Sequence, residues 1–178
     1  MKDFEIFTKY FIYDVDNHKE HKENILSLID KLPVEGIKTE HCKIENTDWN
    51  LPSNIKREYL QYFYHEIARN LCMEFNKKFN LKAYRIHNGW YQQYNKGEYH
   101  GWHTHAGCNF TNIYFLEMPE KEMVTEVLDM NNNPIEIKAK EGQILILPGF
   151  LHHRSKVNNF NSRKTIISFN SSFVNLND

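Results

Sequence analysis

An excess of charge is missing from this sequence: 22 Lys and Arg stand against 23 Asp and Glu, leaving a formal net charge of −1. Proteins that grip nucleic acid or an anionic bilayer through their overall field need a basic surplus, so neither partner is expected. Long apolar runs are also missing, and nothing approaches the roughly 18 unbroken apolar residues of a membrane-spanning helix. Cysteine is scarce. Cys42, Cys72 and Cys108 are odd in number and form no CxxC pair, and the opening MKDFEIF lacks the basic region and apolar core of a secretory leader. Both features point to a reducing, cytoplasmic setting. No internal repeat is visible, and the Asn-rich stretch at 131–133 is too short to be low complexity.

What is present suits a globular chain. With 178 residues, 40% apolar and 25% charged, the sequence reads as one domain, 1–178, able to bury a sizeable core. Phe4 to Val15 is aromatic and β-branched enough for a strand. Ile25, Leu28, Ile29 and Leu32 recur at helical spacing before Pro33 and Gly36. Ile55, Tyr59, Phe63, Ile67, Leu71 and Phe75 then repeat every four residues, which predicts a second helix capped by Ser53 or Asn54 and lying against a sheet. From about Leu81 the pattern changes to short β-rich segments: 83–94, 99–105, 111–116, 123–130, 135–140, 143–147 and 163–173. The expected architecture is mainly β with N-terminal helices, 1–80 supplying a strand and supporting helices and 81–178 a sandwich, barrel or jelly roll.

Ten histidines are unusual for such a chain. His103 and His105 flank Thr104, and on a strand the period of two sets both imidazoles on one face. A third donor is available in the unit from Gly142 to His153, where a glycine turn leads into an apolar strand stopped by Pro148 with His152 and His153 beyond it. Three imidazoles from two strands could hold a divalent first-row metal and leave positions open for catalysis. By strand alternation His100 points away from His103, and one of His152 and His153 is a bystander. Cys108 reads as a loop cysteine and not as a soft fourth ligand. His18, His21, His41, His65 and His87 read as surface or structural.

From about Ala83 to Phe173 the chain resembles the 2-oxoglutarate and Fe(II)-dependent oxygenases, close to a small group related to prolyl hydroxylases. The resemblance lies in Asn88-Gly89-Trp90 through Tyr94-Asn-Lys-Gly97, the histidine pair, Thr111 to Leu116, the Gly142 to His153 unit, and Ile166 to Asn170. It implies a double-stranded β-helix, the jelly roll also found in cupins, and a hydroxylation that consumes 2-oxoglutarate and O2 at Fe(II). His103 and His153 match the first and last metal ligands. His105 stands where most of the superfamily has aspartate or glutamate, which leaves metal identity open. Lys164 or Arg163 would bind the distal carboxylate of 2-oxoglutarate, the interval back from Ser168 favouring Lys164, and Tyr94 resembles a tyrosine that bonds the same carboxylate. The substrate, small-molecule or peptidyl, would be selected by 118–140, by Ala106 to Phe110, and around Trp49 and Trp102.

Other readings compete. A three-histidine cupin using no 2-oxoglutarate fits the spacings Gly97 to His105 and Gly142 to Pro148, although Asn109, Phe110 and Phe150 depart from its signature. A zinc hydrolase would need a proton shuttle that the sequence does not display. A jelly roll that has lost its metal would serve as a binding module.

Overall fold

The structure is a computed structural model that describes residues 8–176, with side chains described through Phe173. In chain order the elements are β1 (Phe11–Asp14), α1 (His18–Ile29), β2 (Glu35–Lys38), β3 (Cys42–Thr47), α2 (Glu58–Phe63), a π-helical turn (Tyr64–Ala68), α3 (Arg69–Phe79) and then eight strands. These are β4 (Leu81–Tyr94), β5 (Tyr99–His103), β6 (Phe110–Glu117), β7 (Thr125–Leu128), β8 (Pro134–Ile137), β9 (Gln143–Pro148), β10 (His153–Ser155) and β11 (Lys164–Leu176). The strands form a curled antiparallel sheet in the order β1-β9-β6-β11-β4-β3-β5-β10-β7-β8, with β2 beside β3. The jelly-roll expectation holds. No helix among the described residues is long and apolar enough to cross a membrane.

The helical layer packs on one face of this sheet. Tyr59, Phe63, Ile67, Leu71 and Phe75 are all buried, and they join Tyr114, Ile144, Ile167 and Phe169 in one apolar cluster. A four-residue repeat over these sixteen steps would drift by about 160° around an α-helix. The wide turn at Tyr64–Ala68 absorbs one residue and removes roughly 100° of that drift, so the stripe stays on the sheet. A second apolar cluster, including Ile113, Phe115, Leu145 and Ile166, fills the inside of the curl.

Four expectations need correction. The second helix starts at Glu58 and not after Ser53 or Asn54, and its N-cap Arg57 makes no side-chain cap bond. Arg57 instead spends its guanidinium on the Asp48 carboxylate and on the carbonyls of Asp48 and Leu51, which holds the preceding segment in a non-helical path. The first strand is shorter than Phe4 to Val15; Phe4 to Phe7 lie outside the described residues, and pairing with β9 begins at Phe11. The strands β2, β3 and β10 were not foreseen: the first two carry mixed polar sequence, and β10 has only three residues. His105 lies two residues past the end of β5, whose last residue is His103.

Candidate metal centre

Two strands bring the histidines together. β10 lies antiparallel to β5, with His153 paired to His103 and Ser155 to His100. Between these pairs β5 has two residues, Gly101 and Trp102, against the single Arg154 of β10. This is a β-bulge, and it reverses the expected facing of one side chain: His100 does not point away but stacks flat on His103, ring centroids 3.8 Å apart and planes 9° apart. Gly101 is needed here because a Cβ would lie 2.7 Å from the His41 carbonyl oxygen, which already accepts the Gly101 N–H at 2.7 Å. His105 is held by its own N–H, donated to the Gly149 carbonyl at 2.8 Å.

One ring nitrogen from each of His103, His105 and His153 lies within 4.8 Å of the others. Their remaining nitrogens are committed. Nδ1–H of His103 donates to the Gly101 carbonyl at 2.8 Å, that of His153 to the Leu151 carbonyl at 3.0 Å, and that of His105 to Asn170 Oδ1 at 2.6 Å. Since these oxygens accept, each Nε2 is left with its lone pair, the state a metal ligand needs. Burial, with neighbouring imidazoles assisting, lowers His153 to about 3, and burial lowers His103 to about 4 and His105 in the same direction. All three are therefore neutral at pH 7. His152 is exposed, and Cys108 Sγ faces the His105 carbonyl at 3.7 Å, outside the cluster.

The basic pair at the start of β11 divides. Arg163 turns outward to Glu117, with Nη2 2.9 Å from Oε2. Lys164, directly opposite Tyr94 in the ladder, is 2% exposed and lines the same cavity as the three imidazoles. Its Nζ donates to Ser155 Oγ at 3.2 Å and lies 5.7 Å and 5.5 Å from the rings of Tyr94 and Phe115, and it meets no carboxylate among the described residues. Burial alone pushes this ammonium down to about 7. Tyr94, also in the cavity wall, donates its hydroxyl to Gln92 Oε1 at 3.0 Å, and burial raises its phenol well above the ordinary range.

A wider cleft of about 420 Å³ opens outside the imidazoles, lined among others by Trp49, His41, Thr104 and Ala106. The 118–140 excursion gives Thr125 to the inner cavity and no lining residue to this cleft. Trp102 is covered by the Arg154 guanidinium at 4.4 Å.

No family model and no curated protein matches the sequence. Solved structures do match the shape. An oxidoreductase of the 2OG-Fe(II) oxygenase family from Burkholderia pseudomallei superposes with a TM-score of 0.68 at 17% identity, over 88% of this chain and 80% of that one. A Pseudomonas putida prolyl-4-hydroxylase gives 0.62 at 8% identity, over 90% and 91%. HygX from Streptomyces hygroscopicus, solved with nickel and 2-oxoglutarate bound, gives 0.66 at 10% identity, over 92% and 82%. The fold is that of the 2-oxoglutarate and Fe(II)-dependent oxygenases.

Within this oxygenase fold, sequence reasoning missed His100, Gln92, Trp90 and Asn170. Gln92 Nε2 donates to His100 Nδ1 at 3.4 Å, and the Trp90 ring stacks on His105 at 5.8 Å and 19°. Asn170 carried a signal, since it closes the strand resemblance at Ile166 to Asn170. His100 carried none, because a bulge is invisible to a rule of alternation.

Proposed function

We propose that this protein is an Fe(II)- and 2-oxoglutarate-dependent oxygenase in which His103, His105 and His153 hold the metal and Lys164 binds the distal carboxylate of the co-substrate. The observation that carries this reading is the Lys164 ammonium, buried in the same cavity as three neutral imidazoles with no anion beside it among the described residues. A buried cation without a partner is costly unless a ligand completes it. A five-carbon diacid with one end at the imidazoles and the other at Lys164 would do so.

The donor set fits a divalent metal: three lone pairs converge, are already unprotonated at neutral pH, and are oriented by Gly101, Leu151 and Asn170. When bound, Fe(II) would supply a centre for chelating the 2-oxo acid and activating O2 toward substrate hydroxylation. The chain's own work is binding and exclusion of water. Lys164, with the Ser155 hydroxyl beside it, neutralises the far carboxylate, and the Tyr94 hydroxyl would donate to the same group by turning its proton away from Gln92 Oε1. Ile113 and Ile166 keep the cavity wall apolar. Neither cavity nor cleft is lined by a carboxylate among the described residues, so no general base is assigned. The substrate, a small molecule or a peptidyl group, would enter through the outer cleft past Trp49.

The test is anaerobic addition of 2-oxoglutarate to the iron-loaded protein, followed by the visible charge-transfer band of the chelate. The band is expected with the unaltered protein and absent with Lys164→Met. The three-imidazole set itself favours a second reading, a cupin-type dioxygenase that ignores 2-oxoglutarate. That enzyme would form no band and release no succinate when O2 is admitted.

A further inference from the structure

A series of three rings leads from the imidazoles to solvent. The Trp90 indole lies flat against His105, centroids 5.8 Å apart and planes 19° apart, and Trp49 meets Trp90 edge to face at 4.1 Å. Trp90 is 5% exposed and Trp49 48%. The contact between the two indoles is built into the backbone. Thr47 Oγ1 accepts the Trp49 N–H at 3.3 Å and donates to the Tyr91 carbonyl at 2.6 Å, while Asp48 Oδ1 accepts the Tyr91 N–H at 2.9 Å. The chain on one side of Trp49 is thereby tied to the residue that follows Trp90.

A second, independent observation comes from hydrogen bonding. The Trp90 indole N–H is buried and has no acceptor among the described residues, a standing cost to the fold. An indole that gives up an electron becomes strongly acidic, and the charge is trapped wherever the N–H proton can leave. Trp90 offers that proton no exit, whereas Trp49 opens to water. An electron vacancy would therefore pass over Trp90 and settle on Trp49. The third tryptophan, Trp102, lies under the Arg154 guanidinium at 4.4 Å, and a cation above a ring opposes loss of an electron from it.

We propose that Trp90 and Trp49 form an electron relay that discharges the metal centre when O2 has reacted and no substrate is present. The inference rests on the oxygenase reading, which supplies O2 and 2-oxoglutarate. One oxygen atom of O2 enters succinate as carbon dioxide leaves, and the other needs two electrons and two protons to depart as water. Trp49 gives both electrons, one at a time, through Trp90. Its ring, now short of two electrons, adds the oxygen of a solvent water and releases two protons, so that an indole C–H becomes C–OH. The metal returns to its starting oxidation state, and the damage is moved from the ligands to the surface.

The test exposes the iron-loaded protein to O2 and 2-oxoglutarate, without substrate, in heavy-oxygen water, and then weighs its peptides. One oxygen atom carrying the solvent's isotope is expected at Trp49, with Trp102 unchanged. Labelled O2 in ordinary water is expected to leave the new oxygen unlabelled. In Trp90→Phe, whose ring yields an electron far less readily than an indole, modification of Trp49 should fall at least about tenfold for the same succinate formed. If that variant does not fold, judged by circular dichroism, the isotope comparison in the unaltered protein decides. Oxygen from O2 on Trp49, modification of Trp102 or another residue in its place, or undiminished modification in Trp90→Phe would each overturn the relay. Succinate formed with Trp49 intact would overturn it too, whereas absence of succinate would instead overturn the oxygenase reading.

Discussion

His103 and His153 are cross-strand partners, facing each other in the antiparallel pairing of β5 with β10 with ring centroids 4.2 Å apart. Their meeting is a matter of register. A slip of one residue would turn every side chain of β5 to the other face and separate the pair. What fixes the register is the bulge at Gly101 and Trp102, seated on the His41 carbonyl.

Gly101→Ala should therefore cost both stability and metal. The added methyl has no room against a backbone oxygen, and overpacking of this kind typically costs 1–3 kcal/mol, or about 5 °C in Tm for a chain of this size. Calorimetry and metal analysis of the same sample check it. Wild-type Tm with full metal occupancy would show that the bulge tolerates a side chain.

Asn170→Ala leaves all three ligands in place but frees the His105 ring to rotate and to change tautomer. Loss of such an outer partner typically lowers metal affinity by 10–100-fold. Competition with a chromophoric chelator measures it, and His103→Ala, which removes a ligand, should fall at least as far. An unchanged affinity in His103→Ala would remove that residue from the ligand set.

Lys164→Met should stabilise the metal-free protein while abolishing its response to 2-oxoglutarate. A lysine lowered from 10.5 to about 7 binds its proton less readily folded than unfolded. The penalty is roughly 5 kcal/mol, present in full below pH 7 and relieved as pH rises toward 10.5. Substitution by an apolar chain of similar length recovers part of it, about 1–3 kcal/mol after relaxation. Thermal shift assays at pH 7, with and without metal and 2-oxoglutarate, separate the two effects. Loss of stability in Lys164→Met would mark the ammonium as a structural element.

Acid should unfold the metal-free protein steeply. Once unfolded, histidines take up protons near pH 6.5, whereas burial holds His100 and His153 to about 3 and His103 to about 4 in the fold. The unfolded chain thus binds more protons between those limits, so stability falls as pH drops from 6.5. Near pH 5 these three groups alone give a slope of about 4 kcal/mol per pH unit. Urea unfolding at pH 5, 6 and 7 tests the slope, and a flat profile would contradict the burial of the cluster.

Much of this was legible in the sequence for physical reasons. Periodicity exposed the helix stripe from Tyr59 to Phe75, and β-rich segments broken by turns exposed most of the sheet. The spacing HxH and the Gly142 to His153 unit singled out the three imidazoles that the fold brings together. What stayed hidden depended on single contacts over long separations. The helix start was displaced by Arg57 reaching back to Asp48 and Leu51, and strands β2 and β3 are recruited by pairing and not by their own composition. Between Arg163 and Lys164 the sequence offered alternation and an interval from Ser168 favouring Lys164; the ion pair with Glu117, which sits opposite Thr165 in the ladder, holds Arg163 outward.

The wide turn at Tyr64–Ala68 also bears on how this chain tolerates length changes. Because it stores one residue more than a regular turn, removing a single residue there would restore an ordinary α-helix and leave the flanking aromatic rows in phase. Removing one from α3 would instead swing Phe75 about 100° off the sheet. The helix has one place where it can be shortened without losing its grip on the barrel.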